Sequence, residues 1–214
     1  MFQRIKQFFA KQNKEVMTES TTAFNGVNCE WLVLKSKNTE EVAHFLELDN
    51  IKPMHGTIGI QQLYSKRNCI YITPPIEGWV VIMGAGLLAT GEGIQVLLPK
   101  LSVRFQEAYF FKNYDTGDTY CWMKAIKGTI ERSFTYCLEL GEWSSIGRLT
   151  AIEQTLNINA FIDSLNSNEE VDDIYIDINT VIAIADNWSI STTKIDAIRY
   201  LKELGCSGEL LKRR

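Results

Sequence analysis

The sequence predicts an α+β fold: a single domain on an antiparallel sheet, with helices packed at both ends of the chain. Residues 108–138 alternate apolar and polar positions across two tight turns, the pattern of a β-meander. Past residue 149 that alternation gives way to helix start signals, and residues 2–16 carry apolar side chains at helical spacing. At 214 residues, folding removes about 70% of the chain's surface from water, enough for one sizeable core. With 45% hydrophobic and 22% charged residues, the composition excludes disordered, fibrous and disulfide-dense classes.

Residues 1–22 read as an N-terminal amphipathic helix and linker, and 23–214 as the domain. Phe2, Ile5, Phe8 and Phe9 share one helical face, with Arg4, Lys11 and Lys14 elsewhere. Such a terminal helix more often docks on its own domain than on a membrane surface. Trp31–Leu34 is an apolar strand. Asn38 or Thr39 then caps a helix whose core face is Val42, Phe45 and Leu46, with Glu40 and Glu41 well placed in the first turn.

Gly56 to Leu140 reads mostly as strand. Residues 68–73 and 78–84 form two strands joined by the Pro74-Pro75 turn, and Ile94–Phe105 forms a short helix with Pro99 in its first turn or splitting it. The meander runs through 108–114, 119–126 and 129–138, with turns at Asp115–Asp118 and Lys127-Gly128. Phe110, Tyr120, Trp122, Ile130, Phe134 and Tyr136 supply its large cross-strand side chains. Thr150-Ala-Ile-Glu153 has capping-box spacing. A second helix is expected from about Asn179 to Asn187, with Val181, Ile182 and Ile184 or Ala185 inward. A third is expected from Thr193 to Leu204, burying Ile195, Ile198 and Leu201 and stopping at Gly205.

The net charge of −4 gives no electrostatic reason to expect nucleic acid or an anionic membrane as partner. Five scattered cysteines without a CxxC, an N-terminus without an unbroken apolar segment, and no long apolar run together point to reduced thiols and a cytoplasmic protein. Gly84-Ala-Gly86-Leu-Leu-Ala89 fits a dinucleotide fingerprint in form. However, Gly91 and Gly93 would fall in the helix that should hold the pyrophosphate, and no βαβ alternation surrounds it. His44 and His55 belong to no metal motif, and a Cys69–His55 nucleophile pair has no supporting spacing. Neither cofactor, metal nor catalytic residue is expected. An enzyme using the Gly84–Ala89 loop or a cysteine nucleophile is the alternative.

Charge segregation is the clearer signal. Residues 149–193 hold eight acids and no lysine or arginine, whereas 194–214 hold six bases and three acids. Within the acidic segment Glu169, Glu170, Asp172, Asp173 and Asp177 surround Tyr175. An extended backbone there puts Ile174, Ile176 and Ile178 inward and Asp173, Tyr175 and Asp177 outward. An acidic face with an aromatic anchor suits a basic protein partner. A solvated loop is the plain reading of the same residues. Trp143, in Leu140-Gly-Glu-Trp-Ser-Ser, is expected exposed on a loop and is added to the partner-binding set.

Several blocks between residues 31 and 195 also carry a resemblance: Pro74–Gly84, Leu101–Phe105 with Phe110, Trp122–Ala125 with Gly128, Arg132 and Tyr136, and Val181–Ile190. Through them the chain resembles a family of small, largely uncharacterised bacterial proteins, similar to immunity proteins encoded beside polymorphic or type VI secreted toxins. The family pattern has Asp-Pro where this chain has Ser191-Thr192, a difference bearing on how the last helix is capped. The resemblance implies an immunity protein that neutralises a cognate toxin by occluding its active site, and it transfers no catalytic residue.

Overall fold

In the strand Cys29–Lys35 (β1), Trp31 and Val33 point to one side and Leu32 and Leu34 to the other, and all four are buried. A strand covered on both faces must lie inside a layered structure. The computed structural model describes residues 29–66, 68–84, 87, 93–114, 117–167, 175–190 and 203–210. Among these, eight further strands follow: Leu48–His55 (β2), Cys69–Ile72 (β3), Trp79–Met83 (β4), Glu107–Tyr114 (β5), Thr119–Ile126 (β6), Thr129–Cys137 (β7), Glu142–Ile146 (β8) and Leu204–Leu210 (β9). The helices are Thr39–Phe45 (α1), Gly56–Ser65 (α2), Ile94–Phe105 (α3), Ala151–Thr155 (α4), Ile158–Ser167 (α5) and Ile178–Trp188 (α6).

All nine strands form one antiparallel sheet in the order β2-β9-β3-β4-β1-β5-β6-β7-β8. On one face Leu32, Leu34, Val80, Ile82 and Phe110 pack against Val42 and Ala43 of α1 and Leu98, Leu101 and Phe105 of α3. On the other, Trp31, Val33, Tyr109, Phe111, Trp122 and Phe134 meet Ile158 and Phe161 of α5 and Val181, Ile184 and Ala185 of α6. The expected α+β class, antiparallel sheet and meander are therefore present.

The α1 cap is Asn38, whose side chain accepts the Glu41 N–H at 3.0 Å. Phe45 is only half inward, its ring edge-on to Phe105 at 5.6 Å. Pro99 neither starts nor splits α3 but sits inside it. Gln95, whose carbonyl loses its usual donor to the proline, is an exposed residue.

Other expectations need correction. Residues 56–65 form α2 rather than strand, because two glycines in Gly56-Thr-Ile-Gly59 weaken the helical signal that tertiary packing supplies. Trp143 lies in β8, paired with Tyr136, not on a loop. Four of the five β8 residues are exposed, so no apolar alternation marks the strand in the sequence. Helix residues 193–202 fall outside the described residues, as do the N-terminal helix and linker of 1–22 and turn residues Asp115 and Thr116. Leu204 and Gly205, assigned to the end of that last helix, are instead in β9, between β2 and β3. Gly-Cys-Ser-Gly carries little strand propensity, and pairing on both sides supplies what the side chains do not. No described helix is long and apolar enough to cross a membrane.

Candidate functional site

The start of α6 positions the described part of the acidic segment. Ile176 is buried beneath the helix, Tyr175 stands 74% exposed, and Asp177 is the N-cap. Asp177 accepts from the Thr180 N–H at 2.9 Å, the Thr180 hydroxyl at 3.1 Å and the Asn179 amide at 2.8 Å. Partial burial pushes its carboxyl upward, but these donors outweigh that and hold it below its ordinary range. Of the two described residues expected to face outward, Tyr175 is exposed, while Asp177 is occupied in starting a helix. Replacing Asp177 by alanine should cost about 1 kcal/mol in a urea melt, and serine should retain most of it. Glu169, Glu170, Asp172 and Asp173 lie outside the described residues. Trp143, half-buried on β8, shows no described contact with Tyr175.

A second group lies on the α5/α6 face, at the end of the sheet where β1 finishes and β5 begins. Alternation brings Lys35, Trp79, Glu107 and Tyr109 to one side, and the end of α6 adds Trp188. The Trp79 and Tyr109 rings meet edge-on at 5.6 Å, and Tyr109 and Trp188 at 6.1 Å. Lys35 sits 5.6 Å above Trp79 and bridges Glu107 at 3.0 Å; the Tyr109 hydroxyl donates to Glu107 at 2.7 Å. Burial raises the Glu107 carboxyl, yet the hydrogen bonds from Tyr109 and Lys35 and the nearby lysine charges bring it below its usual value. No sequence signal joins these residues, which come from four distant segments.

Among the described residues, Arg132 and Glu153 form the most buried charge pair. Arg132 and Glu153 are 1% and 0% exposed. Glu153 Oε1 accepts from Trp122 Nε1 at 2.7 Å and from Arg132 Nε at 2.8 Å, while its Oε2 accepts from the Thr150 N–H and hydroxyl, both at 2.8 Å. Arg132 Nη1 reaches the Ser133 carbonyl at 3.0 Å, the Ser145 hydroxyl at 2.7 Å and the Ile146 carbonyl at 3.0 Å. The capping box, visible in the sequence, is thus also the anchor that ties α4 to β6, β7 and β8. It serves architecture: both charges are spent on partners inside the fold.

The residues of the enzymatic alternative have packing roles of their own. Gly84 has φ +147°, and a Cβ there would fall 2.4 Å from the Cys69 carbonyl, so close approach of β4 to β3 accounts for this glycine. Gly86 and Ala89 lie outside the described residues. His55 pairs with Leu204 and Cys69 with Glu209, five residues apart along β9 and therefore roughly 17 Å, too far for a nucleophile and its base. Burial pushes the Cys121 and Cys206 thiols up to about 11. These thiols should resist alkylation at pH 8 in the folded protein and react on denaturation. Because the folded state holds their protons more tightly than the unfolded state, their contribution to stability is complete below about pH 9 and is lost as pH rises toward 11, which alkaline urea melts would register.

Among the described residues no three His, Cys, Asp or Glu side chains gather as a metal site requires. An open cleft of about 570 Å³ beside the β1–α1 turn contains Lys35, Lys37, Arg104, Glu41 and Glu77, but Lys35 bridges Glu107 and Arg104 bridges Glu41, so neither sign dominates. Compared with protein-family models, curated proteins and solved structures, the chain gives no match, and the reading of its site rests on its own residues.

Proposed function

We propose that this chain is a cytoplasmic immunity protein that neutralises a secreted antibacterial toxin with a basic surface, by covering the toxin's active-site cleft. One observation carries the reading: Tyr175 projects, 74% exposed, from the start of α6, inside a segment of eight acids and no base. A tyrosine loses little side-chain entropy on contact and presents both an apolar ring and a hydroxyl. Surrounding carboxylates steer a basic partner toward it. The cap role of Asp177 narrows the surface to Tyr175 and the acids before it, because reversing Asp177 would disturb α6 as well as any interface.

The test is to identify the gene adjacent to this one and, where it encodes a secreted toxin, to co-express the two. The wild type should protect cells, and Tyr175→Ala combined with Asp172→Lys and Asp173→Lys should not, although it accumulates folded. Full protection by that variant, or no protection by the wild type, would defeat the proposal.

A further inference from the structure

The two edges of the sheet are built differently. β2 carries the devices that keep an edge from pairing: a register shift between Asp49 and Lys52, a positive φ at Asn50, and Lys52-Pro53 in the strand. β8 has none of them. It pairs with β7 without a register shift, contains no lysine, arginine or proline, and is exposed at four of its five residues. Among the described residues nothing pairs with its outer edge. Leu140 precedes it by two residues and Ile146 ends it, exposed at 67% and 49%.

We propose that β8 is a self-association edge, on which a second copy of this chain pairs antiparallel about a twofold axis at Ser144. A five-residue strand pairs over its whole length with an antiparallel copy only when the axis falls on its middle residue. Glu142 of each copy then faces Ile146 of the other, and Ser144 faces its own counterpart, where small side chains let the backbones close. The two Glu142 carboxylates stand roughly 14 Å apart along the strand, beyond the screening length at physiological salt. A parallel arrangement would stack them. Trp143 of one copy lies diagonal to Trp143 of the other, at about 7–8 Å and within ring reach, and Ile146 of each is brought toward Leu140 of the other. A five-residue seam falls short of the roughly 1,200 Å² that stable interfaces begin at, so the dimer forms as concentration rises rather than being permanent. Each copy carries a net charge of −4, so added salt should strengthen it, the opposite of what a basic partner on the Tyr175 face would show. The inference stands without the proposed function.

Sedimentation equilibrium of the full chain from micromolar to millimolar concentration tests it, with Ser144→Lys, Ser144→Glu and their equal mixture. Ser144 is exposed, and unchanged circular dichroism would establish that both variants fold. The wild-type mass should rise toward twice that of the chain, each variant alone should stay at the monomer because like charges meet on the axis, and the mixture should recover the dimer. A wild type that stays monomeric throughout overturns the proposal, including the case in which slow hydrogen exchange at residues 143–146 shows the edge covered by the chain itself. Dimers unaffected by Ser144→Lys, or a mixture that fails to recover, overturn the β8 twofold equally.

Discussion

Glu153→Ala is expected to lower the unfolding free energy by about 3–5 kcal/mol, a large part of the roughly 5–15 kcal/mol available to a domain. The loss comes mainly from what is left behind. Arg132 is 1% exposed and keeps its charge, so removing the carboxylate strands a cation that its remaining hydroxyl and carbonyl acceptors do not neutralise. Trp122 Nε1 and the Thr150 N–H lose their acceptor in the same step. Urea unfolding followed by tryptophan fluorescence reads the change. Arg132→Met combined with Glu153→Leu should be much milder than either single change, since an apolar pair leaves no charge to bury. If Glu153→Ala unfolds at the wild-type midpoint, the pair does not anchor α4 to the sheet.

Gly147→Ala is expected to cost about 2–4 kcal/mol. Gly147 directly follows β8 with φ +79°, a conformation that costs an L-residue about 1–2 kcal/mol, and a Cβ there would fall 2.0 Å from the Glu131 carbonyl. That oxygen belongs to backbone at the β6–β7 irregularity, so no rotamer change relieves the clash and β8 must shift. The shift would also pull the Ile146 carbonyl away from Arg132. The same urea melts report it, and a cost below about 0.5 kcal/mol would mean that β8 does not close tightly on β7.

What was legible follows from which forces leave a local trace. The β5–β7 meander could be read because alternation and turn residues are local, and the caps at Asn38 and Thr150 lie within a turn of the N–H groups they serve. β8 and β9 could not. One is too exposed to show a buried face, and the other is a Gly-Cys-Ser-Gly strand made by its neighbours. The outward position of Tyr175 was legible from period-two alternation about Ile176. The capping duty of Asp177 was not, because the same residue type serves an acidic face and a helix start. The Trp79–Tyr109–Trp188 cluster and the Arg132–Glu153 pair exist only once distant segments are brought together, although Glu153 was visible as half of a capping box.

Titration calorimetry of this protein with the cognate toxin that the proposed function requires, at rising salt, tests the Tyr175 surface most directly. The expected result is binding that weakens as salt rises and that loses tenfold or more in affinity with Tyr175→Ala at an unchanged melting temperature. Affinity indifferent to both salt and Tyr175→Ala would contradict the acidic, aromatic-anchored interface.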